Sequence, residues 1–362
     1  MINPLNIGAT LNYIGSKYRL LPFVRQAIFD MAGDIHDLTL ADLFAGTGVV
    51  GRSFVGEVKR LIINDLEAYS YTVNRGYLAR HDSIIRTQEL LDKLNRLDGV
   101  SGKIYHHYCL GGGNGRQYFS DENGRKIDAM RQQIEAWHVE QTISTDQYYF
   151  LLARLLETAD KVANTASVYG AFLKHLKKSA QKPLVLAPIA KNGSSQLAFF
   201  SGKAFSAKAN GQAVQTVSEV YQQDANELIK KISGDILYLD PPYNARQYGA
   251  NYHLLNTIAL YDDFTPKGKT GLREYRRSEY CQTRKVLPSF ESLIQAAQFR
   301  YIFLSYNNEG LMTLDEVKTV MARYGKYELR TQDYQRFKAD RDENRNHKAK
   351  RTEEYLHILV KR

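Results

Sequence analysis

The chain has 362 residues, 43% of them hydrophobic, which is longer than one average domain and enough to bury a sizeable core. Lys and Arg number 49 against 39 Asp and Glu; the formal charge of +10 favours a polyanionic partner, and basic and aromatic residues interleave around 267 to 285 and 336 to 351. Cys109 and Cys281, without CxxC spacing, suggest neither a disulfide framework nor a zinc site, and with no signal-peptide layout and no apolar run of roughly 18 residues the chain reads as a soluble, unexported, cytoplasmic protein.

In chain order, the first predicted element is an apolar, turn-bounded run over residues 38–45, followed by Gly46-Thr47-Gly48 and a helical stretch from Val49. Residues 60–63 predict a second strand ending at Asn64-Asp65, with a helix from Glu67 to about Arg80, so this region begins as a βαβ unit. From 86 to 214 the pattern changes to helical periodicity after the glycine-rich stretch 111–115. The clearest helix spans 147–162, where Leu151, Leu152, Leu155, Ala159 and Val162 recur at helical spacing. A further apolar face, Val168, Phe172 and Leu176, sits beside Lys174, Lys177 and Lys178, which face either a phosphate backbone or water.

Alternation resumes with a strand over 217–222, a helix over 225–232 and a strand over 235–239, then strands over 301–305, 327–331 and 355–360. The fold class is therefore α/β, a Rossmann-like, mostly parallel sheet with an inserted, mainly helical region. Residues 1–85 and 215–362 are the two parts of one domain, and 86–214 the insertion.

Gly46-Thr47-Gly48-Val49-Val50-Gly51 satisfies GxGxxG after a strand, and Asp65 ends the next strand nineteen residues beyond Gly46. Such glycines let backbone N–H groups approach a nucleoside ligand, while the carboxylate accepts hydrogen bonds from two ribose hydroxyls. NAD and S-adenosylmethionine both fit this half of the pattern, and glycines that merely pack helix on strand would also satisfy the hexapeptide.

Asp240-Pro241-Pro242-Tyr243 follows an apolar strand, at the carboxyl end where open α/β sheets bind ligands. An aromatic exocyclic amine is a poor nucleophile because its lone pair is delocalised into the ring; activation needs acceptors for its two hydrogens. Asp240 can supply a carboxylate oxygen and Pro241 a carbonyl, two successive prolines stiffen the segment, and Tyr243 offers a flat face for an extruded base. A strand-terminating Pro-Pro turn with a surface carboxylate is the plainer alternative. The conjunction with the glycine loop and Asp65 favours the chemical reading.

On these residues the chain resembles the Dam-like N6-adenine-specific DNA methyltransferase family, with its alpha motif order and DPPY catalytic motif, over both flanks of the sequence. Asn12-Tyr13-Ile14-Gly15-Ser16-Lys17 is similar to the family's N-terminal motif, so the resemblance places Tyr13 and Lys17 around the methionine part of the cofactor. Asp42-Leu43-Phe44-Ala45-Gly46-Thr47-Gly48 resembles the family's glycine loop, which implies cofactor contacts for Asp42, Phe44, Gly46 and Gly48, and Asp65 its ribose-binding acid. Asp224 corresponds to an acceptor for the cofactor's adenine amine, although an Asp before a helix is more commonly an N-cap. Ser305-Tyr306-Asn307-Asn308 ends a strand downstream, as the family's lesser motifs do.

The resemblance implies S-adenosyl-L-methionine as cofactor, double-stranded DNA as partner, Asp240, Pro241, Pro242 and Tyr243 as the catalytic set, the insertion as target-recognition region and, by family habit, a cognate restriction endonuclease. The polar, aromatic and basic segment 244–285 can close over an extruded base and grip phosphates, or form a solvated loop and helix. Histidines are scattered, and His106-His107 lacks companions at metal-ligand spacing, so no metal is expected. The open alternatives are an N4-cytosine DNA methyltransferase, an NAD-dependent oxidoreductase that would leave the Pro-Pro tetrapeptide without a job, and a basic DNA-binding protein with a degenerate cofactor site.

Overall fold

A computed structural model describes residues 11, 15–79, 83–189, 214–335 and 351–362. The chain divides into two compact units, one built on a sheet (15–66, 206–247 and 276–362) and one mainly helical (1–14, 67–205 and 248–275).

The sheet unit contains, in chain order, β1 (Thr39–Asp42), β2 (Arg60–Asn64), β3 (Val217–Tyr221), β4 (Ser233–Leu239), β5 (Gln298–Asn307), β6 (Gly325–Gln335) and β7 (Arg351–Lys361). They form one sheet in the order β3-β2-β1-β4-β5-β7-β6. The first five are parallel, and β7 lies between β5 and β6, antiparallel to both. The apolar runs of β1, β2 and β4 are what strands buried on both sides require. Ala41, Ile62, Leu237, Leu304 and Leu359 pack on one face with residues of the helices Val286–Ala296 and Leu314–Tyr324. The helix Leu21–Ala32 lies against β5 and is tied down by Arg25, which donates to the Ser53 carbonyl at 2.6 Å and to Glu57 Oε2 at 2.7 Å. The expected Rossmann-like α/β sheet is thus the observed architecture.

Strand positions agree with the sequence reading, but β6 and β7 each run to eleven residues, well past the predicted cores. Their antiparallel ladder continues beyond the buried positions that the apolar pattern marks. The helix predicted over 225–232 is shorter, Ala225–Leu228, because a turn then leads into β4.

The helical unit includes the helices Ala68–Tyr77, Ile84–Arg96, Lys103–Tyr108, Asp121–Val139, Thr145–Val162 and His253–Leu260. Thr145–Val162, the clearest helix in the sequence, starts with a capping box in which Ser144 and Gln147 satisfy each other's backbone N–H groups. It packs tightly on Ala68–Tyr77 at Gly76, where an added Cβ would stand 2.6 Å from both Ala153 Cβ and the Tyr149 carbonyl oxygen.

The borders of this unit differ from the expected insertion, 86–214: it begins at Glu67 and takes in 248–275. Asn256 explains the difference, since its Oδ1 accepts from Tyr69 N at 3.0 Å and its Nδ2 donates to Glu67 Oε2 at 2.6 Å. Nor do Val168, Phe172 and Leu176 form a helix: residues 163–183 are loop and turn. Val168 and Phe172 still pack on the helical core, while the backbone is committed elsewhere, with Tyr169 N donating to the Asn251 carbonyl and Leu173 N to that of Asn164.

Candidate active site

The glycine loop leaves β1 at Asp42 and turns into a single helical turn, Val49–Arg52, through Gly46 and Gly48, whose φ values of 52° and 72° are costly for any residue with a Cβ. Asp42 is 1% exposed; its Oδ2 accepts from Gly51 N at 2.9 Å, while its buried Oδ1 has no hydrogen-bond partner among the described residues. Burial pushes its carboxyl up to about 8, and Asp240 and Asp65 push the same way. Asp65 Oδ2 accepts from Gly46 N at 2.7 Å, so the loop and the expected ribose-binding acid are fixed to one another. Asn64, which the sequence reading treated only as the end of a strand, clasps the neighbouring segments. Its Nδ2 donates to the carbonyls of Leu43 and Gln223 at 3.0 and 3.1 Å, and its Oδ1 accepts from Gln223 N.

Asp224 is the N-cap of Ala225–Leu228, its Oδ1 accepting from Asn226 N at 2.9 Å and Glu227 N at 3.3 Å. A cofactor contact would fall to the other oxygen. Phe44 meets the buried Tyr280 edge to face, centroids 4.9 Å apart, and the Tyr280 hydroxyl donates to Asn226 Oδ1 at 2.8 Å. Tyr280 was not singled out in the sequence, because only the packing of a distant turn brings it to Phe44.

Asp240 stands just beyond β4. Its Oδ1 accepts from the Tyr243 hydroxyl at 2.7 Å and lies 3.1 Å from Lys17 Nζ. No donor among the described residues reaches its Oδ2. Burial raises its carboxyl above the ordinary range, and Lys17 and Tyr243 act against that rise. Lys17, 5% exposed, starts a short 3-10 helix capped by Ser16, and its ammonium also donates to the Gly15 carbonyl at 3.1 Å. The same ammonium lies 4.7 Å from the centroid of Tyr243, whose ring meets that of Tyr306 at 5.0 Å and 72°. Pro241 is buried, and the Tyr243 carbonyl accepts from Leu311 N at 2.9 Å.

Side chains alternate across a strand, so the pairings Asp42 with Tyr238, Tyr238 with Phe303 and Asn307 with Glu354 place Asp42, Tyr238, Ser305 and Glu354 on one sheet face. Ser305 Oγ lies 3.5 Å from the Tyr243 hydroxyl. Glu354 on β7 is 6% exposed, and burial drives its carboxyl up to about 7, with Lys17 lowering it and Asp240 raising it. Nothing local in the sequence marks Glu354. Of the expected residues, Lys17, Asp42, Phe44, Gly46, Gly48, Asp65, Asp224 and Asp240 to Tyr243 all belong to the sheet unit; Tyr13 lies outside the described residues.

Residues 13–320 match the sequence family described as D12 class N6 adenine-specific DNA methyltransferase. The chain is 60% identical over 352 residues to the type II methyltransferase M.NlaIII of Neisseria lactamica, covering 97% of this chain and 99% of that one. It is 36% identical over 335 residues to the type II methyltransferase M.CviAII of Paramecium bursaria Chlorella virus 1, covering 91% and 93%. To the type II methyltransferase M.FokI of Planomicrobium okeanokoites it is 35% identical over 370 residues, which span 97% of this chain and 53% of that protein.

Proposed function

The chain belongs to the D12 class of N6 adenine-specific DNA methyltransferases, and from that premise we propose that it methylates the N6 amine of adenine at a specific site in duplex DNA, with the target base extruded from the helix. S-adenosyl-L-methionine, when bound, supplies an electrophilic sulfonium methyl. The residues that would hold it are Asp42, Phe44, Gly46, Gly48, Lys17, Asp65 and Asp224. The fit is supported by two positive-φ glycines that leave no Cβ in the way and by the buried, unsatisfied Oδ1 of Asp42.

The observation that carries the mechanism is the asymmetry of Asp240: Lys17 and Tyr243 hold Oδ1, while Oδ2 has no donor among the described residues. Oδ2 accepts one amine hydrogen and the Pro241 carbonyl the other, which localises the lone pair on nitrogen in the direction of attack. Once the new bond has formed, the nitrogen carries an extra proton, and Oδ2 is already hydrogen-bonded to it. Positioning and polarisation are sufficient for this reaction.

The helical unit serves as target-recognition region in this reading. Its turn 267–272, exposed at Lys267, Gly268 and Lys269, is held by the buried Arg116, whose guanidinium donates to the carbonyls of His107, Gly268 and Lys269, and by the Tyr108 hydroxyl on the Gly271 carbonyl at 2.7 Å. Lys267 and Lys269 on that turn suit phosphate contacts. The relatives' names, type II methyltransferases, support a partner restriction endonuclease. Among the described residues no helix is long and apolar enough to cross a membrane, which suits work on DNA in the cytoplasm. Transfer of labelled methyl to duplex DNA tests the proposal: Asp240→Ala retains cofactor binding and loses nearly all transfer, and a variant that keeps its activity removes Asp240 from this role.

A further inference from the structure

Lys17 occupies the place that the reaction needs. Its ammonium neutralises Asp240 at 3.1 Å and covers the Tyr243 ring at 4.7 Å from the centroid, and that ring is where an extruded base would stack. A base arriving on this side displaces the ammonium. Lys17 is almost wholly buried, and a buried cation stripped of its counterion is strongly disfavoured.

The structure holds a second anion for it. Glu354 is as deeply buried as Lys17, and its Oε2 has no hydrogen-bond partner among the described residues. The Tyr238 hydroxyl, on the same sheet face as Ser305 and Glu354, is likewise buried, with no hydrogen bond of ordinary geometry among the described residues. Buried polar atoms of this kind are rare in folded chains, and each asks for an explanation. Glu354 shares its sheet face with Tyr238 and with Ser305, whose Oγ lies 3.5 Å from the Tyr243 hydroxyl, and the charged and titratable groups coupled electrostatically to Glu354 are Lys17 from the short helix, Asp240 and Tyr243 from beyond β4, and Tyr238 from β4.

We propose that Lys17 has two stations: it rests on Asp240 and Tyr243 in the empty enzyme and moves to the Glu354 carboxylate when the target base enters, which makes Glu354 a positioning residue for base capture. The move uncovers the Tyr243 face, leaves Asp240 Oδ1 to the Tyr243 hydroxyl and keeps the ammonium paired throughout. Tyr238 Oη is an additional acceptor at the second station. This inference rests on the methyltransferase reading above.

The test uses the full chain and a duplex whose recognised sequence has been mapped by wild-type methylation, with 2-aminopurine at the target position as a reporter of base extrusion. E354Q keeps cofactor affinity within about twofold, loses at least about tenfold in kcat and shows a reduced 2-aminopurine fluorescence rise. K17M with E354Q is no worse than K17M alone, within about threefold, because Glu354 acts only through Lys17. Should E354Q fail to bind cofactor, E354M, which fills the same buried space without charge, is read in the same way. Wild-type kcat and fluorescence in the Glu354 variant, or losses that multiply in the double variant, overturn the two-station proposal. A wild-type enzyme that methylates no adenine overturns the underlying reading instead.

Discussion

Replacing Lys17 by Met removes the cation beside Asp240 while keeping most of the buried volume. At the observed 3.1 Å and an effective dielectric of about 20, the Coulomb attraction is about 5 kcal/mol. Asp240 is 19% exposed, and desolvation and water take much of that attraction back, so we expect about 1–3 kcal/mol of differential stabilisation to be lost. The sign follows from the chemistry. Asp240 works as an anion, burial already raises its carboxyl, and Lys17 opposes that rise. Without Lys17 the protonated form persists to higher pH, and activity begins to fail earlier as pH drops. The assay is the pH dependence of kcat/KM for methyl transfer, which reports the free enzyme. Lys17→Met moves the acid limb up by about one pH unit or more, and an acid limb that stays in place refutes the assignment of Lys17 as Asp240's counterion.

Two further outcomes follow from the same geometry. The folded-state carboxyl of Asp42 sits at about 8 against 3.8 ordinarily, so the native state binds that proton more tightly between those values; stability falls as pH rises through the window and levels off above it. Asp42→Asn removes a component on the order of a few kcal/mol from that slope, which urea melts at pH 5 and pH 9 measure; an unchanged slope removes Asp42 as its source. Arg116→Ala deletes three bonds to backbone carbonyls around the turn 267–272, each charge-assisted bond being worth roughly 1.5–3 kcal/mol. We expect KM for DNA to rise about tenfold with cofactor affinity unchanged, and an unaltered KM would separate that turn from DNA binding.

The parts of the site legible in the sequence are those whose chemistry is local. Gly46, Gly48 and Asp240 to Tyr243 each sit at the end of an apolar strand, so both a pattern and a physical role mark them. Lys17 was expected around the methionine part of the cofactor, but that its ammonium pairs with Asp240 depends on where the chain places the short helix Lys17–Leu20. Glu354 and Tyr280 were invisible for a stronger reason: their placement is set by β7 entering between β5 and β6, and by a turn that brings Tyr280 onto Phe44. The fold shows the same division. Buried parallel strands announced themselves as apolar runs, whereas the helix Ala68–Tyr77 joins the helical unit through Gly76 and Asn256, which no periodicity in its own sequence records.

The central claim is that Asp240 and the Pro241 carbonyl activate the N6 amine of adenine, and the identity of the modified base tests it most directly. Duplex DNA incubated with the wild-type enzyme and S-adenosyl-L-methionine, then digested to nucleosides and analysed by mass, should contain N6-methyladenine at one mapped sequence, with none after incubation with Asp240→Ala. Methylation found only as N4-methylcytosine, or undiminished in the variant, would contradict the account.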